Sequence, residues 1–501
     1  CGVVARLVLA WVMVLAQTLP LYANPIDGTV SAGDATISSA GNTLTVTQAS
    51  DKAVIDWRGF DIAHGETTNF VQPNASSMTL NRVNSATPSF IDGNLTANGN
   101  LIVVNPNGVW FGAGARVDVN SLIATTAGIS NDAFMNSTGT LNFDQPGNPN
   151  AAIVNDGMIT AKEAGLVGLV APNVVNNGVI LAKLGRVHLA SGDTATVDLY
   201  GDGLMDVAVS DAVTSQLVAN NGIIAAQGGT IAMTAAAGSN IVNSLVKVSG
   251  ELHAPSISQH NGKIIIAAEG SNAVKHNIAA NKGKKSGTST VIVDGVINAS
   301  GRHAGERGGS VQITADNIAL LDGTVIDASG SDGLSGTTFN QAVSAYRDGS
   351  AGGDIRIGGD YLGGGDTATA KNLYVDKGVL VLNDALNSGD AGRSIFWSDD
   401  TTSFYGNVYA RALGGKPVDT QTWNATAGGN TGDGGFIETS GHGHLNAGGY
   451  VDLTASNGAR GTYFLDPTDI TIYGNFAPNF ATVVQGDATT LASNLKLWLD
   501  A

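Results

Sequence analysis

One phrase recurs five times between residues 154 and 329, and it limits what this chain can fold into. An Asn- or Asp-Gly turn leads into a short alternating strand that ends in Ala or Ser. The copies are Val154-Asn-Asp-Gly-Met-Ile-Thr-Ala161, Val175-Asn-Asn-Gly-Val-Ile-Leu-Ala182, Ala219-Asn-Asn-Gly-Ile-Ile-Ala-Ala226, Val293-Asp-Gly-Val-Ile-Asn-Ala-Ser300 and Leu321-Asp-Gly-Thr-Val-Ile-Asp-Ala-Ser329. Each is followed by a second alternating strand after a Gly-rich loop, as in Gly185 to Ala190, Gly229 to Ala235, Gly262 to Ala268, Gly309 to Ala315 and Gly353 to Ile357. Gly157 and Gly178 lie 21 residues apart, Gly222 and Gly250 lie 28 apart, and so do Gly295 and Gly323. A unit of that size cannot bury its own apolar face; it must stack on copies of itself. The pattern predicts an all-β fold, a right-handed parallel β-helix with Val, Ile, Leu and Ala inside and Thr, Asn, Lys and Arg outside. Gly and Asn at the corners are expected to supply positive φ. With roughly 20 to 28 residues per coil and about 4.8 Å per strand, the rod should be on the order of 80 Å long. A string of β-sandwiches would call for more aromatic cores and more Pro between modules.

Composition narrows the partners. The 67 glycines and the 13% of charged residues depart from ordinary globular usage in the direction of a repetitive chain. The net charge of -17 comes from scattered carboxylates, which favours solubility and opposes nucleic-acid binding. The one basic cluster, Lys282 to Lys285, reads as a loop. Cys1 is the only cysteine, so no disulfide can brace the fold and no cysteine-ligated metal is expected. A chain threaded unfolded through a narrow pore has the same requirement.

From Val3 to Leu21 the chain is apolar apart from Arg6, Gln17 and Thr18. The segment reads as a signal peptide for Sec export, cleaved after Ala23 to leave Asn24 first; it is short for a membrane span and is interrupted by Pro20. A first residue of Cys instead of Met suggests that the natural start lies upstream. Residues 24–135 lack the repeat phrase and are expected to form a β cap over the first coil, with Trp57, Phe60 and Phe70 as its core. Residues 136–475 are the β-helix repeats, and 476–501, ending in Leu495-Lys-Leu-Trp-Leu-Asp-Ala501, are expected to open a further, truncated domain.

Within the cap, Ile55-Asp-Trp57 with Phe60, Phe70 with Gln72-Pro73, Leu80-Asn-Arg-Val83, Ile91-Asp-Gly93, Asn98-Gly99 and Leu101-Ile-Val-Val-Asn-Pro-Asn-Gly-Val-Trp-Phe-Gly112 follow one another in an order that resembles the secretion domain of filamentous haemagglutinins. These are large bacterial adhesins of the two-partner-secretion type. Gly165 to Pro172 and Gly461 to Ile472 are similar to phrases of the same family. The resemblance implies a rod exported through an outer-membrane β-barrel partner, secreted or held at the surface of a Gram-negative cell, and used in adhesion, aggregation or biofilm. The receptor, a host or bacterial surface component or glycan, would be met by distal regions. Asn105-Pro106-Asn107-Gly108 matches the family's Asn-Pro-Asn-Gly motif, which implies transporter recognition. By residue chemistry the segment is a tight turn. The family's second motif, Asn-Pro-Asn-Leu, is represented only by Asn148-Pro-Asn-Ala151.

Other chemistry finds little support. Many β-helices process polysaccharides with paired carboxylates, yet the Asp residues here sit mainly in turns such as Asp294-Gly295 and Asp322-Gly323, so no enzyme, catalytic residue or cofactor is expected. His442 and His444 form a pair without a third ligand, so no metal is expected. Gly358-Gly-Asp360 and Gly363-Gly-Gly-Asp366 lack the period of calcium-binding repeats and read as corners. No glycine-rich stretch ends in the Lys-Ser/Thr of a phosphate loop. Two other roles fit the same rod: the stalk of a contact-dependent toxin, and a polysaccharide-processing enzyme with a carboxylate cluster along one face.

Overall fold

A computed structural model describes residues 24–198, 205–237, 243–269, 288–303, 305–331, 351–365, 367–414 and 431–473, with the strands Ala477–Asn479 and Thr482–Gln485. The expected signal segment up to Ala23, the Lys282 to Lys285 cluster and the stretch from Leu495 onward lie outside the described residues.

Three long sheets run through the described residues, and from strand Ser89–Ile91 onward the chain passes from the first to the second to the third once per coil; before it, the chain passes between the first and third alone. One coil shows the rule: Leu166–Ala171 lies in the first sheet, Asn173–Asn176 in the second, Val179–Leu181 in the third, and Arg186–Ser191 returns to the first, directly beside Leu166–Ala171. Alternation decides which side chains enter the bore. In the second sheet Val109, Ile153, Val174, Val218, Val246, Val291, Ile318 and Leu373 stack at one register. In the third, Ile159, Ile180, Ile224, Leu252, Ile297, Ile326, Val381, Val408 and Val451 do the same. All of these are buried. Each such side chain contributes roughly 1.5–3 kcal/mol by leaving water, so the rod is a parallel β-helix held by side-chain columns.

The expected separate cap over 24–135 is revised. Thr43–Gln48 and Lys52–Trp57 already belong to the third and first sheets, which continue through residue 135 without a break. Trp57, Phe60 and Phe70 are buried in the same continuous core as Ile159 or Val381. The true end-piece is smaller. Thr29–Ala32 and Ala35–Ala40 turn back antiparallel onto the first strands of those two sheets, covering edges that would otherwise present unpaired backbone groups.

Coil length varies more than the 20 to 28 residues expected. The offset between paired residues is 20 at Leu166 and Arg186 but 55 at Asn317 and Asn372, because insertions leave at the corners. Insertions widen a coil without lengthening the rod. Fourteen parallel strands of the third sheet, at about 4.8 Å each, span roughly 60 Å.

The corner glycines serve a different purpose from the one predicted. Gly157, Gly178, Gly222, Gly250 and Gly295 are not among the residues with positive φ; of the repeat turns only Gly323, at 89°, is. Instead they stack. A β-carbon on Gly178, Gly222, Gly250 or Gly295 would lie less than 3.0 Å from the carbonyl oxygen of the glycine one coil below. Beside them the turn asparagines form two ladders. Buried Asn155 donates to Asn176 at 2.7 Å and Asn176 to Asn220 at 2.7 Å. On the outside Asn221 donates to Asn177 at 2.8 Å and Asn177 to Asp156 at 2.7 Å.

Two insertions, one after Thr125 and one after Ser191, join to build a flap on the outer face of the first sheet. The strands Thr140–Phe143, Thr194–Asp198 and Met205–Ala208 pair antiparallel beside a helix at Asn131–Met135 that Ser130 caps. Phe134, Leu141, Phe143, Val197 and Met205 bury Val54, Leu80, Ile102, Ile123 and Val170 in a second core. Lys52 fastens the helix by donating to the carbonyls of Phe134 at 3.0 Å, Met135 at 3.2 Å and Ser137 at 2.6 Å, a favourable place for a cation. Under the flap, His188 accepts from the Met205 N–H at 3.3 Å through Nδ1, which leaves Nε2–H for Thr234 at 2.7 Å. Burial lowers its pKa to about 4. Because the unfolded chain protonates this ring near pH 6.5, its contribution is complete above that pH and is lost as pH falls toward 4, about 3 kcal/mol in all. Urea titrations between pH 4 and 7.5 are expected to show this loss, and a His188→Gln variant to show a flatter profile over the same window.

Candidate functional site

The Asn-Pro-Asn-Gly segment forms the corner between strand Asn100–Val104 of the first sheet and strand Gly108–Phe111 of the second. The Asn107 N–H donates to the Asn105 side-chain oxygen at 2.9 Å and the Gly108 N–H to the Asn105 carbonyl at 2.9 Å. Pro106 fixes the φ between them. Gly108 is at φ 111°, and a β-carbon there would strike the Ala152 carbonyl. The side chains reach to the coil below: Asn105 donates to the Thr87 carbonyl at 3.1 Å and Ser89 Oγ at 3.1 Å, and Asn107 to the Ser85 carbonyl at 2.8 Å.

Asn148-Pro-Asn-Ala151 repeats this turn one coil further on. Its Asn150 N–H donates to the Asn148 side chain at 3.0 Å and its Ala151 N–H to the Asn148 carbonyl at 3.0 Å. The two turns are joined, because the Asn148 N–H donates to the Pro106 carbonyl at 2.9 Å. The motif is therefore an inter-coil staple bonded below and above. Asn105 is fully buried, while Pro106 and Asn107 are half-buried. Any contact that a partner makes with the Asn105 side chain precedes closure of this coil.

A carboxylate cluster, the feature that would favour glycan chemistry, does occur on the outer face of the first sheet near its far end. Arg356 holds Asp354 at 2.8 Å and Asp360 at 2.8 Å, and Arg393 holds the same two at 3.2 and 3.0 Å. Asp360, in the glycine-rich loop considered for calcium, is thus occupied by guanidinium groups. The loop's Leu362 N–H points at Glu438, 3.3 Å from each oxygen. Burial among Tyr361, Phe436 and Phe464 raises the Glu438 carboxyl to about 8, against the hydrogen bonds from Ser440 and Leu362. Sequence reasoning missed this clamp because Leu362 and Glu438 are 76 residues apart. His442 is exposed beside the Trp397 ring, 6.2 Å between centroids, and His444 pairs with Asp469 at 3.1 Å. Among the described residues no group of three or more His, Cys, Asp or Glu is arranged to hold a metal.

Comparison with known proteins places these features in a family. The TPS secretion domain model matches residues 22–313, well past residue 135. The chain is 33% identical over 271 residues to a heme/hemopexin-binding protein of Haemophilus influenzae strain Rd, covering 52% of this chain and 30% of the relative. A second Haemophilus influenzae heme/hemopexin-binding protein is 32% identical over 280 residues, covering 50% and 28%. The chain thus spans about three tenths of the length of these relatives. The crystal structure of the HMW1 secretion domain from Haemophilus influenzae superposes with a TM-score of 0.62 at 25% identity, over 86% of this chain and 98% of that one. By its match over more than half its length, its coiled architecture and its Asn-Pro-Asn-Gly corner, the chain belongs to the TPS secretion domain family.

Proposed function

We propose that this chain is the leading part of an adhesin of a Gram-negative bacterium. After Sec-dependent passage of the inner membrane it is exported through a dedicated outer-membrane β-barrel partner and displayed as a rod for cell adhesion, aggregation or biofilm formation. The observation that carries this reading is the secretion-domain match over residues 22–313. The fold adds a physical rationale: each coil pairs its backbone with the coil before it, so coils emerging in order fold onto a finished template, and that free energy biases passage outward. No catalytic role is proposed, since the carboxylates closest to a cluster are neutralised by Arg356 and Arg393. A second reading, binding of heme or hemopexin, is favoured by the names of the two curated relatives; titration of the released chain with heme and with hemopexin separates it from adhesion.

Cells that produce the chain together with its outer-membrane partner are expected to release it, and cells without the partner to retain it in the periplasm. Release without the partner would overturn the proposal. Asn105→Ala should cost the folded protein about 2 kcal/mol, because it leaves buried groups unpaired, and Asn107→Ala about 1 kcal/mol. An Asn107→Ala protein that melts normally but is not released would assign that side chain to recognition; parallel losses of stability and release would assign it to the staple.

A further inference from the structure

The first sheet hides much of its outer face under the flap and the 358–365 loop, whereas a row of tyrosines runs along the outer face of the second sheet and its edge, Tyr374 within strand Asn372–Val375 and Tyr405 and Tyr473 directly after strands Thr401–Phe404 and Asp469–Ile472. Tyr374, Tyr405 and Tyr473 follow one another along the rod, with ring centroids 6.1 and 5.6 Å apart and edge-to-face tilts of 64° and 74°. Tyr374 is 40% exposed and Tyr473 43%. Gly448 lies between the last two: a β-carbon there would come within 2.8 Å of the Tyr405 ring, so the intervening coil leaves room for the rings.

The tyrosines do not form a bare apolar patch. Beside them, at neighbouring registers of the same face, run Asn317, Asn372, Ser403, His444, Asn446 and Thr471. These side chains are already oriented by one another. Asn372 donates to Asn317 at 3.0 Å, Asn446 donates to Ser403 at 3.1 Å and accepts from the Tyr473 hydroxyl at 3.4 Å, and His444 lies 3.2 Å from Asn446. Rings that offer a flat apolar surface, edged by amides and hydroxyls that donate and accept, match a pyranose sugar, which has an apolar C–H face and a rim of hydroxyls. The charge of the partner follows from the flanks. Asp376 and Asp469 border the row, with Lys377 at the exposed corner next to Asp376, and the chain as a whole carries -17. A polyanionic glycan is repelled and an uncharged one is not.

We propose that the outer face of the second sheet between Asn317 and Tyr473 is a binding surface for an uncharged glycan, with Tyr374, Tyr405 and Tyr473 as its stacking platforms. The proposal rests on the reading of the chain as a displayed rod and gives that rod a ligand class of its own.

The test is affinity electrophoresis of the purified full chain through gels containing uncharged glycans (hydroxyethyl cellulose, galactomannan, glycol chitin at a pH where it is uncharged) and, as the anionic counterpart, polygalacturonate. At least one uncharged glycan is expected to retard the protein, and polygalacturonate to leave it unretarded. The Tyr374→Ser/Tyr405→Ser/Tyr473→Ser variant should bind at least tenfold more weakly, and Phe90→Ser/Trp110→Ser, which alters the exposed aromatic pair at the other end of the same sheet, should bind as the parent does. If the triple variant melts early, Tyr374→Ser alone, at an exposed position, should still weaken binding at least threefold. No retardation by any uncharged glycan, retardation unchanged in the tyrosine variants, or stronger binding to polygalacturonate would each overturn the proposal. Partner-dependent release without glycan binding removes this site and leaves display standing; glycan binding by a chain released without the partner does the reverse.

Discussion

Replacing Gly222 with Val is expected to cost about 3–5 kcal/mol and to open the coils on either side of it. The new β-carbon would lie within 3.0 Å of the Gly178 carbonyl and of the Asn177 backbone. Backbone cannot rotate away as a side-chain tip can, so the coil must lift. Lifting stretches the bonds from the Ile223 N–H to Gly178 and from the Glu251 N–H to Gly222, now 2.9 and 2.8 Å. Steric strain in a packed interior accounts for roughly 1–3 kcal/mol, and each weakened backbone bond for about 1 kcal/mol. The control is Gly41→Val. Gly41 has φ 58° but nothing within 4 Å of its β-carbon position, so only local strain of roughly 1–2 kcal/mol applies. Amide hydrogen exchange should show lost protection around residues 178–251 for Gly222→Val, and at the N-terminal hairpin alone for Gly41→Val. Equal effects at the two positions would mean that conformational freedom, and not close approach, selects glycine at the repeat turns.

Arg411→Met is expected to destabilise the far half of the rod by about 3–5 kcal/mol, as one-sided removal of a buried ion pair does. Arg411 and Asp384 are 2% and 3% exposed at the side chain, and the guanidinium grips both carboxylate oxygens, Nη2 to Oδ2 at 2.8 Å and Nε to Oδ1 at 3.2 Å. The Arg411 backbone N–H adds a bond to Asp384 Oδ1 at 2.7 Å, and the Tyr409 ring lies 4.4 Å from the guanidinium carbon. Without the guanidinium the carboxylate is left charged in the interior or must take up a proton there. The Arg411→Met/Asp384→Asn double variant should therefore recover more than 1 kcal/mol relative to Arg411→Met, read from urea midpoints by a double-mutant cycle. If the two changes are simply additive, the pair does not stabilise the fold.

Most of the architecture is legible in the sequence because it is local. Strand alternation places Val174 inward and Asn173 outward wherever the strand lies, and turn residues mark each corner. The Asn-Pro-Asn-Gly turn is equally readable, since its bonds span two or three residues. Its role as a staple is not, because Asn105 meets Thr87 and Ser89 only after the coil closes. The second Asn-Pro-Asn turn was recognisable as a partial motif, yet nothing in the string of residues tells that it docks on the first. The cap boundary was misplaced for a related reason. Early coils such as Thr43–Gln48 and Lys52–Trp57 lack the Asn-Gly phrase, but a coil needs only an inward apolar column and a backbone to pair with.

Sequence by itself determined the all-β class, the stacked repeat, the absence of a disulfide brace and the turn at residues 105–108, because each depends on residues within one unit or on a count over the whole chain. Only the tertiary structure decided that the flap covers the first sheet, that Lys52 caps a helix 82 to 85 residues away, that Glu438 is enclosed by a loop 76 residues away, and that three tyrosines align along the second sheet. Those outcomes depend on how many residues each corner insertion holds, which sets what lies above what when coils stack. Alternation repeats every two residues and carries no record of that offset.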